Sequence, residues 1–144
     1  MRRAEVAWYW TPALVWSAVL LLMSGNAGST ALTAHILQWI LPPASPAFEP
    51  IQFLFRKTAH VFAYGLLGAL DFRAVRGTRC GWRLAWSVAA VALATLIATL
   101  DEWHQTMVPL RTGTPLDVVI DCAGAALAQL ALRSWVIGRG SRGP

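Results

Sequence analysis

A chain of 144 residues has room for one domain, and here 56% of them are hydrophobic and only 13% charged, against about 25% charged in a soluble domain. Such a chain cannot present a mostly water-facing surface. The net charge of +5 is not a nucleic-acid signal, because the arginines fall in three separate places and form no single basic face.

A membrane helix needs about 20 mostly apolar residues, and four stretches qualify. The first is 6–23, with Pro12 near its start, where proline is tolerated. A cleaved leader would begin in a similar way, with the small polar run Ser24-Gly25-Asn26-Ala27-Gly28 after it. The other spans work better with a fourth that stays attached. Next, Thr30 to Leu41 places Leu32, His35, Ile36, Trp39 and Ile40 at helical spacing before Pro42-Pro43. This predicts a short helix, lying either in the membrane interface or as a packed cover over the bundle. The second span is 51–70, flawed at its start by Arg56, Lys57 and His60. The third, 82–100, is the cleanest. The fourth, 117–137, opens on Asp117 and Asp121, and 138–144 is expected to be a flexible tail. The predicted fold is an all-α, four-helix membrane bundle with one short extra helix. Most of the eight tryptophans sit near the ends of these runs, where aromatic belts form.

The connections give the direction. Residues 24–50 contain no Lys or Arg, and residues 101–116 contain only Arg111. Residues 71–83 contain Arg73, Arg76, Arg79 and Arg83, and the tails carry Arg2 and Arg3 at one end and Arg133, Arg139 and Arg142 at the other. Cytoplasmic loops carry the excess of Lys and Arg. Both termini and the 71–83 loop are therefore expected in the cytoplasm, which an even number of spans allows. Cys80 and Cys122 then lie near opposite faces and are not expected to pair.

On this topology the ionisable residues converge in the outer half of the bundle. Lys57, His60 and Tyr64 share one helix face, and Asp117, Asp121 and Gly124 share another. Asp101, Glu102 and Gln105 end the third span. The cytoplasmic half is expected to hold no buried counterpart. Charges at membrane depth are costly and face the bundle interior with a partner. His60 and Asp121 are therefore predicted to approach one another, with Tyr64 below them. Gly124 and its neighbouring alanines allow close helix approach, as do Gly65 and Gly68. Arg111, with Gly113 giving the turn freedom, is expected to fold back over the acidic mouth. The plainer alternatives are interfacial snorkelling for Arg56 and Lys57, a loop-capping role for Asp101 or Glu102, and a solvated loop arginine at 111.

Two stretches, RKTAHVFAYGLLG and DEWHQTMVPLRTGTPLDVVIDCAGA, resemble the signatures of the VanZ-like family of small bacterial membrane proteins. The family pattern is Lys-x-x-His-x-x-x-Tyr, Asp-Glu-x-x-Gln, then Arg-x-Gly-x-x-x-Asp-x-x-x-Asp-x-x-Gly. It is matched by Lys57, His60 and Tyr64, by Asp101, Glu102 and Gln105, and by Arg111, Gly113, Asp117, Asp121 and Gly124. The resemblance covers about residues 50–130 and implies a single VanZ-like transmembrane domain over 1–137. Leu110 stands after Pro109 where members often have glycine, which removes no polar group. The family is named for a protein linked to teicoplanin resistance, so the resemblance names residues to watch more than a reaction.

Three readings follow. In the first, the protein binds or acts on a cell-envelope component, a lipid-linked wall precursor or a lipoglycopeptide. His60 would serve as acid or base, with Asp121 or Asp117 orienting it and Glu102 and Asp101 nearby. Arg111 and Lys57 would hold an anionic group, with Tyr64 and Gln105 contributing contacts. No Ser or Cys stands in a recognisable nucleophile setting, so water or a carboxylate would have to attack. In the second, the protein is a non-enzymatic envelope accessory. In the third, it is a small transporter, against which Thr95 and Thr99 are too few to continue a polar path. His60, Asp117 and Asp121 are a set that can hold a metal, but their spacing does not require one, and no metal or cofactor is expected.

Overall fold

The computed structural model describes residues 3–24, 28–107 and 113–140. Among them every regular element is an α-helix: α1 (Arg3–Ser24), α2 (Gly28–Leu37), α3 (Phe48–Arg76), α4 (Leu84–Thr106) and α5 (Pro115–Gly140). Helices α1, α4 and α5 are long and apolar enough to cross a membrane. Helix α3 has 29 residues and, at 1.5 Å each, is about 43 Å long. It carries Glu49, Arg56 and Lys57 toward one end and Asp71, Arg73 and Arg76 toward the other, and by composition it is not among the three. The expected short helix is present as α2. It stops at Leu37, and residues 38–41 turn with bonds such as Ile40 N–H to Leu37 O at 2.9 Å. The tail expected from 138 onward is still helical at Gly140 and is otherwise outside the described residues.

Helix α3 is the hub of the bundle, touching every other helix and packing most extensively on α5. Small residues make that approach possible. Gly65 faces the Gly124 carbonyl, Gly68 faces Ala125, and Gly124 lies against the backbone of Val61. Helix α4 completes the core through Ala90, Ala94 and Ala98, all nearly inaccessible. These alanines recur every four residues and so form one stripe. The central layer consists of Tyr64, Leu67, Ala94, Ala98 and Ala125.

Helix α1 is peripheral and is held by polar ties at two heights. Trp16 Nε1 donates to the Ala63 carbonyl at 2.9 Å. The other tie is set up by Pro12, which has no N–H for the Trp8 carbonyl one turn back. Arg73 Nη1 donates to that carbonyl and to Tyr9 O, both at 3.1 Å. Its guanidinium also lies over the Trp8 and Tyr9 rings. Cys80 and Cys122 are both free thiols.

Candidate functional site

The polar residues singled out in the sequence gather at the end of the bundle where α4 stops and α5 starts. Two side-chain pairs cross from α3 to α5. Lys57 Nζ donates to Asp117 Oδ1, the two side chains being 17% and 18% exposed. One turn deeper, His60 Nδ1 lies 3.2 Å from Asp121 Oδ1, and Asp121 is only 1% exposed. Tyr64 follows another turn down, 1% exposed, its ring stacked with that of His60 at 6.2 Å between centroids. The expected approach of His60 to Asp121, with Tyr64 beneath, is therefore present. Asp117 is the partner of Lys57, so of the two aspartates only Asp121 orients the imidazole. Lys57, considered as an anion holder, is engaged by a carboxylate.

The end of α4 is a hydrogen-bonded knot. Asp101, Glu102 and Gln105 are all buried. Gln105 Nε2 donates to Asp101 Oδ2 at 3.2 Å and to Glu102 Oε1 at 3.3 Å. Glu102 Oε2 accepts the Thr114 N–H at 2.8 Å, and Thr114 Oγ1 accepts the Asp117 N–H at 3.3 Å. Glu102 thus anchors the chain as it enters α5. Gly113 has a reason for being glycine other than the turn freedom expected of it: a Cβ there would stand 2.3 Å from the Glu102 carbonyl oxygen. Arg111, expected to fold back over this mouth, lies outside the described residues, as does Pro109.

A cavity of about 250 Å³ opens between α1, α3 and α4. His60, Tyr64, Asp101 and Gln105 line its polar side, and Trp16 and Leu20 are among the α1 residues on its apolar side. The Tyr64 hydroxyl and Asp101 Oδ1 are buried and make no hydrogen bond among the described residues, although the Asp101 carboxylate is close enough to act on the phenol. Buried polar atoms are normally paired, so the phenol and the Asp101 carboxylate serve either one another or a guest in the cavity. An ionised Asp121 accepts a hydrogen bond from the Nδ1–H of a neutral His60, which leaves Nε2 as the basic nitrogen of the ring. No three His, Cys, Asp or Glu side chains converge as a metal site among the described residues.

One expectation needs correction. The arginine-rich half does hold buried polar residues: Asp71 at 5%, Ser87 at 4% and Gln129 at 5% exposure. A lone polar residue inside an apolar run has no periodic signature that could reveal its burial. Thr95 and Thr99 extend no polar path, because their hydroxyls donate to the Val91 and Thr95 carbonyls of their own helix.

The family model described as VanZ/LLP1 matches residues 9–136, nearly the whole chain, and the chain belongs to that family. Together with the three apolar helices, this makes it a membrane protein. No curated protein and no solved structure matches the chain.

Proposed function

We propose that this member of the VanZ/LLP1 family is a multi-pass protein of the bacterial cytoplasmic membrane that binds, or acts on, an amphiphilic cell-envelope component at the outer leaflet. The observation that carries the reading is the two-sided cavity. One wall offers His60, Tyr64, Asp101 and Gln105, and the other offers apolar side chains of α1. A lipid-linked wall precursor or a lipoglycopeptide has that same division between a polar head and a hydrocarbon chain. Family membership supports a link to glycopeptide resistance.

In this reading α3 is the fourth span. Its charges cluster near its two ends, and between them Phe62 and Leu66 are 74% and 45% exposed, apolar side chains suited to face lipid. The arginines of the α3–α4 connection and of both tails then lie in the cytoplasm by the positive-inside rule. Helix α2 exposes Leu32 and Ile36, and the turn after it exposes Trp39 and Ile40, all at least 43%, which suits a segment lying in the outer interface.

His60 is the group best set for chemistry, oriented through Nδ1 by Asp121 with Nε2 left for a guest. A general base held in this way could activate a water. Most other members of the cluster are committed to each other: Lys57 to Asp117, Glu102 to Thr114, and Gln105 to both acids of α4. That favours, as the second reading, a protein that binds such a molecule without reacting it. A transport path is disfavoured by the apolar layer of Leu67, Ala94, Ala98 and Ala125 beneath Tyr64.

The test is mass spectrometry of the lipids that co-purify with the protein. The parent should carry one amphiphile enriched over the bulk membrane. His60→Ala and the cavity-filling Leu20→Trp should each reduce it. A parent carrying only bulk lipid, or an enrichment that both variants retain, would overturn the proposal.

A further inference from the structure

The arginine-rich end of the bundle holds a second groove, unrelated to the site above. It encloses about 420 Å³ between α4 and α5, with Trp82, Ser87, Gln129 and Arg133 among its lining residues. Ser87 and Gln129 are 4% and 5% exposed. Gln129 Nε2 donates to the Gly68 carbonyl at 2.8 Å. Its Oε1, together with Ser87 Oγ and Trp82 Nε1, is buried without a hydrogen-bond partner among the described residues. Three unmet polar atoms in one groove are costly unless something fills it.

The charge around the groove selects the occupant. Helix α4 begins here with no side-chain cap and no acidic residue in its first turn. Its free N–H groups and dipole therefore favour an anion. Arg83 precedes the helix, and the Arg133 guanidinium lies 5.2 Å from the centroid of the Trp82 ring. None of the described residues lining the groove is acidic. The remaining wall includes Leu84, Val88 and Leu130, which are 66%, 59% and 59% exposed and so open to a hydrocarbon chain.

We infer that this groove binds one anionic phospholipid, its phosphate against Trp82, Ser87 and Arg133 and an acyl chain along Val88 and Leu130. Basic pockets between membrane helices commonly hold lipid phosphates. Trp82 Nε1 and Ser87 Oγ donate to phosphate oxygens, and Gln129 Oε1 accepts from a hydroxyl on the head group. Phosphatidylglycerol, which has both a phosphate and head-group hydroxyls, is therefore the probe.

The intact protein in neutral detergent is titrated with phosphatidylglycerol, phosphatidylcholine or inorganic phosphate while its thermal unfolding is followed. Phosphatidylglycerol should raise the midpoint saturably, and the other two should not. Arg133→Gln and Trp82→Phe should each weaken the apparent affinity about tenfold, the loss of one good hydrogen bond or charge contact, with little change in the unfolding midpoint without lipid. His60→Ala should keep the full response, which separates this groove from the cavity of the proposed function. An equal response to phosphatidylcholine, a response reproduced by free phosphate, or an unaltered response in both groove variants would overturn the inference.

Discussion

The contact that joins α3 to α5 can be tested by adding one methyl group. A Cβ on Gly124 would stand 2.4 Å from the Val61 carbonyl oxygen and 3.0 Å from its Cα. Both are backbone atoms, so no rotamer change can relieve the clash. An ordinary contact of about 3.4 Å would require the helices to separate by roughly 1 Å. The His60–Asp121 contact one turn above is already 3.2 Å, and the same displacement would break it as a direct hydrogen bond. Overpacking of this kind costs about 1–3 kcal/mol, against a gain of about 0.5–1 kcal/mol for replacing a helical glycine by alanine. Gly124→Ala should therefore be destabilised by about 1–2 kcal/mol. The neighbouring positions grade the effect. Gly68→Ala meets Ala125 at 3.0 Å and should be weaker, whereas Gly65→Ala meets the Gly124 carbonyl at 3.4 Å, an ordinary distance, and should be neutral or slightly stabilising. Unfolding in detergent, followed by the fluorescence of the native tryptophans, ranks the three variants against the parent. If Gly124→Ala is as stable as the parent, or if Gly65→Ala is the worst of the three, then α3 and α5 do not pack through this contact.

Three further predictions concern particular ties. Lys57→Met leaves the Asp117 carboxylate half-buried without its ammonium partner and should cost about 3 kcal/mol, the low end for breaking a buried pair; adding Asp117→Leu should restore much of the loss, and a single variant with the parent's unfolding midpoint would show that the pair is unimportant. Arg73→Ala removes the donor that serves the carbonyls around Pro12 and should cost about 1.5–3 kcal/mol. In a Pro12→Ala background the new N–H at position 12 can take over at Trp8, so Arg73→Ala should cost clearly less there, and strictly additive losses in this double-mutant cycle would refute the account. For orientation, a membrane-impermeant maleimide applied to intact cells should label Met107→Cys and miss the exposed native Cys80, and the opposite pattern would move the polar site to the cytoplasmic side.

Much of this molecule was legible along the chain. The apolar runs correspond to α1, α3, α4 and α5, because a long apolar stretch has few ways to satisfy its backbone other than a helix. Spacings of three and four put Lys57, His60 and Tyr64 on one face, and Asp117, Asp121 and Gly124 on another, since helical phase is a local property. The partners across the bundle were legible only in part. Equal depth already pointed His60 to Asp121, but Lys57 had no assigned carboxylate, and Asp117 remained a second candidate for orienting the imidazole. The choice of Asp121 for His60 and Asp117 for Lys57 follows from the register of α5 against α3. That register is decided where Gly124 meets the Val61 backbone, a contact between residues far apart in sequence. The tie from Arg73 to the carbonyls around Pro12 was hidden for the same reason, as was the burial of Asp71, Ser87 and Gln129. Periodicity determines which face of a helix a residue occupies, but close packing of small residues determines which other helix that face meets and at what height.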